Sequence, residues 1–166
     1  MATPANKEAF TELIAQNKGI IYKVSSSYCN NKEDREDLAQ EIILNLWKSF
    51  PRFEEVSKFS TWMYRIALNV AISYYRKETR TAIHAPFDES LVVFDEVNDE
   101  DENVSLLFRF IGELREMDRS VILLYLEDKG YKEIAEITGI TETNVATKIS
   151  RIKQNLKTSF LNNQNK

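Results

Sequence analysis

The chain has 166 residues, 43% of them hydrophobic and 29% charged, with a formal net charge of −4. That length admits one domain or two small ones, each half near the lower size limit for independent stability. No run approaches the ~20 apolar residues of a membrane span, no secretory signal pattern opens the chain, and the lone Cys29 excludes an internal disulfide or a metal-ligand cluster and is expected as a small buried thiol.

The net charge conceals an uneven distribution. Residues 1–80 carry 12 Lys/Arg against 10 Asp/Glu, and residues 105–166 carry 10 against 8. Between them, residues 81–104 hold eight acids (Asp88, Glu89, Asp95, Glu96, Asp99, Glu100, Asp101 and Glu102) and no Lys or Arg. Two mildly basic modules thus flank an acidic connector, and charge placement rather than the total governs binding to polyanions.

Strand signals are nearly absent, with four glycines and no Asn-Gly or Asp-Gly hairpin turn, and helical periodicity predicts an all-α fold. A short helix is expected over 7–16 and a second over 19–29. A third follows the Asn30-Asn31 capping signal and stops at Phe50, before Pro51. Its apolar stripe is Leu38, Ile42, Leu46 and Phe50, widened by Ile43 and Trp47, a width that suits a core on more than one side. After an elbow over 51–58, a fourth helix spans 59–77, with Phe59, Trp62, Ile66 and Val70 as its buried stripe. Residues 79–104 lose periodicity and read as a linker, although the apolar patch 91–94 suits docking. His84 falls there and reads as a solvated linker residue.

The second module is expected to hold helices over 105–116, 119–127 with Asp118 as N-cap, 132–138 and 142–161. Gly139 suits a left-handed C-cap and Thr141 the N-cap of the last helix. Ile134, Ala135 and Ile137 would face Val145, Ile149, Ile152 and Leu156 across the Gly139-Ile140-Thr141 turn, a helix-turn-helix pattern. The domains expected are therefore 1–78, a linker over 79–104, and 105–166.

Three polar surfaces carry chemistry. On the last helix, Thr143, Asn144, Thr147, Lys148 and Arg151 lie opposite the apolar stripe, where the second helix of such a motif enters the major groove. An ordinary two-helix corner with a solvated outer face would look the same. On the fourth helix, Arg65, Asn69, Ser73, Arg76 and Arg80 are spaced by about four residues and share one stripe. An Asn pairs with a base edge while arginines hold flanking phosphates. Tyr64, Tyr74 and Tyr75 add aromatic surface there, and Phe53 and Phe59 bracket the elbow, a mixture suited to unstacked nucleic acid. Trp62 is expected in the core, and Arg65 equally suits an internal salt bridge. On the third helix, Asp34, Glu36 and Asp37 complement the helix dipole. Gln40, Glu41, Leu44, Asn45 and Lys48 then present an exposed leucine among polar residues, as a partner-docking face does.

The segments DREDLAQEIILNLWKSF and FSTWMYRIALNVAISYYRK resemble the second conserved region of bacterial RNA polymerase sigma factors, and YKEIAEITGITETNVATKISRIKQNL resembles their fourth region. With those two modules alone, covering roughly residues 7–78 and 105–161, the chain is similar to the extracytoplasmic-function (ECF) class of the sigma-70 family. The resemblance implies a region 2-like four-helix domain and a region 4-like helix-turn-helix domain joined by the acidic linker. It assigns Gln40 and Glu41 to docking on the coiled coil of the largest polymerase subunit's clamp, and Asp37, Leu44 and Lys48 on the same helix are expected to join them in binding core polymerase. It assigns the elbow over 53–61, including Phe53, Phe59, Ser60 and Thr61, to capture of a flipped base of the −10 element, beside Arg65, Asn69, Ser73 and Arg76. Thr147, Lys148 and Arg151 match the −35 recognition helix, and Thr143 and Asn144 on the same polar face are expected to join them at the −35 element. Ala146 departs from the pattern, standing where many relatives carry Lys or Arg and removing one DNA contact.

The expected function is that of an alternative sigma factor that binds core RNA polymerase, directs it to promoters and helps open the duplex in the cytoplasm. A cognate anti-sigma factor is a further implied partner. No enzyme activity, cofactor, metal site or membrane insertion is expected, since neither a glycine-rich phosphate loop nor a nucleophile elbow is present. A stand-alone helix-turn-helix regulator acting without polymerase is the rival, and a sigma-shaped protein that only sequesters an inhibitor is another.

Overall fold

The computed structural model describes residues 4–56, 58–82 and 102–165, with side chains over 6–56, 58–78 and 102–165. The described residues form helices and turns without strands, and the chain separates into two compact units, Met1–Val93 and Phe94–Lys166. Most of the expected linker, with His84 and the patch 91–94, lies outside the described residues.

The first unit runs α1 (Pro4–Gln16), α2 (Lys18–Tyr28), α3 (Lys32–Ser49), a single 3₁₀ turn over Phe50–Arg52, and α4 (Phe59–Ala82). Asn31 starts α3: its Oδ1 accepts from the Asp34 backbone N–H at 2.8 Å and its Nδ2 donates to Asp34 Oδ2 at 2.6 Å. Glu33 and Asp34 in the first turn add favourable charge at the positive end of the dipole. At its other end α3 hands over to the 3₁₀ turn that holds Pro51, so the chain tightens through the proline and does not break before it.

Helices α2, α3 and α4 pack against one another. Ile21, Val24 and Tyr28 meet Leu38, Ile42 and Leu46 and a broad face of α4 made by Met63, Tyr64, Ala67, Leu68, Ala71 and Ile72. This face replaces the expected stripe. Phe59, Trp62, Ile66 and Val70 are only half-buried and form the flank beside it. The small side chains Ala67 and Ala71 let α4 approach its neighbours closely, which decides the buried face among several apolar candidates. Tyr64, expected as aromatic surface, is consequently core, as is Cys29. Ile43, expected to widen the α3 core, stays exposed. The other α3 flank does pack: Phe10 of α1 covers Trp47, with ring centroids 5.0 Å apart.

The second unit runs α5 (Glu102–Gly112), α6 (Glu116–Leu126), α7 (Tyr131–Thr138) and α8 (Glu142–Gln164). Its core joins Ile111, Val121, Ile122 and Leu124 to Ile134, Ile137, Val145, Ile149, Ile152 and Leu156. Ala135 is half-buried beside it. Helix α5 begins three residues earlier than expected, with Glu102 complementing its N-terminal dipole. Helix α6 also begins early: the Arg119 backbone N–H donates to the Arg115 carbonyl at 2.9 Å, which makes Arg115 and not Asp118 the N-cap. The buried Arg119 side chain donates through Nη2 to the carbonyls of Gly112 (2.6 Å) and Leu114 (3.0 Å). It satisfies groups left over at the end of α5 and ties that end to α6.

The α7–α8 corner forms as the sequence predicts. Gly139 takes φ +79° at the end of α7, and its N–H donates to the Ala135 carbonyl at 2.9 Å. The Thr141 hydroxyl then accepts from the Asn144 N–H at 3.1 Å to start α8.

Candidate functional site

The α3 surface is built from the residue spacing of one helix and completed by another. Asp37, Gln40, Glu41, Leu44 and Lys48 are all exposed, on the side away from Leu38, Ile42 and Leu46. Asn45 turns back on its own helix, donating to the Glu41 carbonyl at 2.8 Å. The apolar content of this face exceeds what the sequence pattern gave, because Ile43 is 38% exposed beside Leu44 at 49%. Together with Phe10, Trp47, Lys7, Thr11 and Gln40 they line a groove between α1 and α3. Phe10 was invisible as a site residue, since only the fold brings α1 alongside α3.

The α4 surface also forms. Arg65, Asn69, Ser73 and Arg76 are exposed along one stripe, opposite the Ala67–Ala71 face. At its N-terminal end the elbow is a cluster of four half-buried rings centred on Phe53. Phe53 lies 5.0 Å from Trp62, 5.5 Å from Phe59 and stacked at 6.4 Å on Phe50. Phe53 and Phe59 therefore brace the loop as much as they present faces to a ligand, and Trp62 joins them, no core residue after all. Ser60 is half-buried, whereas Thr61 is 5% exposed. Thr61 leaves the list of residues a ligand can touch without rearrangement. The sequence reading missed Val56, an apolar side chain 88% exposed at the tip of the elbow. Farther along, Tyr75 packs edge-on against Tyr28 at 6.1 Å. Burial first, and the nearby Asp34 carboxylate second, push the Tyr74 phenol up to about 12.

The α8 surface separates into an exposed outer face and a braced flank. Thr143, Asn144, Thr147 and Arg151 are exposed. The Thr147 hydroxyl donates to the Thr143 carbonyl at 3.0 Å, which leaves its oxygen to accept. Lys148 is drawn toward α6, where its Nζ reaches Asp118 Oδ1 at 3.0 Å. Arg151 Nη2 meets both Asp118 oxygens at 3.3 Å. Lower on the helix, Lys153 donates to the Tyr125 hydroxyl at 2.7 Å and lies 4.4 Å from that ring's centroid, and the hydrogen bond raises its pKa. Ala146 is half-buried and offers no donor. Among the described residues no group of His, Cys, Asp and Glu has the arrangement of a metal site, and no helix is long and apolar enough to cross a membrane.

A helix-turn-helix unit preceded by a helical unit with an exposed mixed apolar and polar face on α3 and an arginine-asparagine stripe on α4 has the layout of a two-module transcription protein. Known proteins agree. Residues 13–81 match the family model for sigma-70 region 2, and residues 106–156 match that for sigma-70 region 4. The chain is 31% identical to the ECF RNA polymerase sigma factor SigW of Bacillus subtilis, over 92% of this chain and 89% of that one. It is 28% identical to the ECF RNA polymerase sigma-E factor of Escherichia coli K12, over 90% and 85% of the two chains. Among solved structures it shares its fold with the Bartonella quintana sigma factor RpoE in complex with the anti-sigma factor NepR. That match has a TM-score of 0.77 and 20% identity, covering 92% of this chain and 97% of that one. CnrH in complex with the cytosolic domain of CnrY matches at a TM-score of 0.66. The chain belongs to the sigma-70 family, in its ECF class. It is an alternative sigma factor, directing transcription with RNA polymerase.

Proposed function

We propose that this sigma factor docks on core polymerase through the α3 face, reads and opens the −10 element with the elbow and the α4 stripe, and reads the −35 element with the outer face of α8. The observation that carries the reading is the α4 stripe: Arg65, Asn69, Ser73 and Arg76 are exposed together on one side of a helix whose opposite side is core. Asn69 supplies a base-edge donor and acceptor, the arginines take phosphates, and Val56 at the elbow tip offers an apolar contact to a base taken out of the stack. Gln40, Glu41 and Leu44, with Asp37 and Lys48 at the edges, would meet polymerase, while the apolar groove beside them takes a partner side chain. Within this scheme the domains are 1–78 and 105–166, joined by a linker over 79–104, and the protein works in the cytoplasm beside polymerase with no chemistry of its own.

The fold neighbour from Bartonella quintana is seen with a bound anti-sigma factor, and a cognate anti-sigma factor is proposed here as a further partner. A stand-alone operator-binding regulator would have no use for a region 2 module, and residues 13–81 match one. Run-off transcription with purified core polymerase tests the reading. Initiation at a defined start site that needs both this protein and core is the expected result. Operator binding without any stimulation of polymerase would replace it with the regulator.

A further inference from the structure

The acid that meets the α8 cations comes from 30 residues earlier in the chain. Asp118 stands in the first turn of α6, its side chain 15% exposed, and its carboxylate sits between Lys148 at 19% and Arg151 at 54%. The two cations play different parts in this triad. Successive 100° steps along α8 set Thr143, Thr147 and Arg151 on the outer face and Lys148 on the flank toward α6. Lys148 is largely covered by its contact. Arg151 gives only Nη2 to the carboxylate, so its Nε and Nη1 point their hydrogens elsewhere from a side chain more than half exposed.

We propose that Asp118 is a positioning residue for −35 readout, and that Lys148 is a brace for it and not a reader. The proposal rests on the reading of α8 as the −35 face. With Nη2 held by the carboxylate, Nε and Nη1 of Arg151 each still donate singly, to a base edge or a flanking phosphate. A long side chain loses rotamer freedom on binding, and one already held by a carboxylate through a single nitrogen has lost part of it beforehand. The same carboxylate lies close to where phosphates pass and weakens binding to DNA of any sequence. The first effect favours the matched site and raises discrimination, whereas the second lowers affinity for matched and bulk DNA alike and shows in the binding to a scrambled site.

The test uses holoenzyme assembled from core polymerase and the full chain. The duplex carries a −35 element defined by sequencing transcript 5′ ends, and it competes against the same duplex with that element scrambled. Arg151→Ala is expected to lower the matched-to-scrambled affinity ratio about fivefold, the low end of the range for a base-specific contact. Asp118→Ala is expected to lower the ratio by a similar factor while the scrambled duplex binds more tightly and with a steeper salt dependence. The Asp118→Ala/Arg151→Ala pair should lose no more discrimination than Arg151→Ala alone, a result that a merely structural role for Asp118 would not give. Asp118→Asn keeps an acceptor without the charge, so it should tighten scrambled binding yet retain more of the ratio than alanine, and it serves where the alanine variant folds poorly. If Arg151→Ala lowers the ratio and neither Asp118 variant does, Asp118 is an ordinary ion-pair partner and the inference fails while the −35 reading stands. If Arg151→Ala itself leaves the ratio unchanged, that residue's part in the −35 reading fails and the inference with it.

Discussion

Phe10 of α1 sets its ring 5.0 Å from Trp47 and meets Phe50 edge-on at 5.2 Å. Among the described side chains of α1 it is the buried one, for the neighbouring Ala9 and Thr11 are exposed and Leu13 and Ile14 only half-buried. Phe10→Ala should therefore release α1 and open the groove that α1 shares with α3. Truncating a buried phenylalanine costs about 3–5 kcal/mol, so hydrogen exchange of the α1 amides should accelerate by two orders of magnitude or more. Exchange in α2 should change far less. Equal acceleration throughout the unit would mean that α1 is part of the cooperative core.

Binding to polymerase should depend on the exposed α3 residues. Gln40→Ala with Glu41→Lys changes two exposed side chains, so helicity and melting should match the parent protein. Affinity for core polymerase in a competition assay should fall by about 2 kcal/mol or more if these are anchoring contacts. Unchanged affinity would remove this face from the polymerase interface.

Reading the −10 element and opening it are separable. Asn69→Ala should weaken capture of a single-stranded −10 oligonucleotide by the assembled holoenzyme by about 1–3 kcal/mol, the range for one base-specific contact. Val56→Ser alters a side chain 88% exposed and should spare the fold, unlike any change at Phe53, which anchors the ring cluster. Because a base must unstack before capture, a pre-melted promoter should partly rescue Val56→Ser. Equal defects on duplex and pre-melted templates would count against an opening role for the elbow.

The left-handed residue between α7 and α8 gives a stability prediction free of packing. A Cβ on Gly139 meets nothing within 4 Å, so the penalty for Gly139→Ala is the φ of +79° alone. That is about 1–2 kcal/mol, and Gly139→Asn should be milder because asparagine tolerates this region. Urea titration of the two variants checks the order. A neutral alanine variant would mean that the corner relaxes out of the left-handed conformation.

Alkaline pH should weaken the first unit through Tyr74. Its folded pKa of about 12 exceeds the ordinary 10.0, so the folded state holds its proton where the unfolded chain has released it. The contribution is complete below pH 10.0 and disappears as pH rises toward about 12. In Tyr74→Phe the urea midpoint should fall less over that interval. Parallel pH profiles for the two proteins would show that other groups control alkaline unfolding.

Much of this protein was settled locally. The Asn31 and Thr141 caps, the left-handed Gly139 and the α8 stripe of Val145, Ile149, Ile152 and Leu156 each depend on a few adjacent residues and on helix geometry, so spacing alone reveals them. The exposed stripe of Arg65, Asn69, Ser73 and Arg76 was legible for the same reason, since polar residues at helical spacing need a side without core. What spacing left open was which apolar side of α4 is buried. Apolar residues occupy most of its circumference, and the choice fell to Ala67 and Ala71 because α2 and α3 must come close there. That choice made Tyr64 and Thr61 core and left Trp62 at the elbow. Tertiary structure alone brought Phe10 to the rim of the α3 face and Asp118 to Lys148 and Arg151. Contacts between residues 30 or more positions apart follow from how helices pack, and a pattern read within one helix holds no information about the side chain that arrives from another.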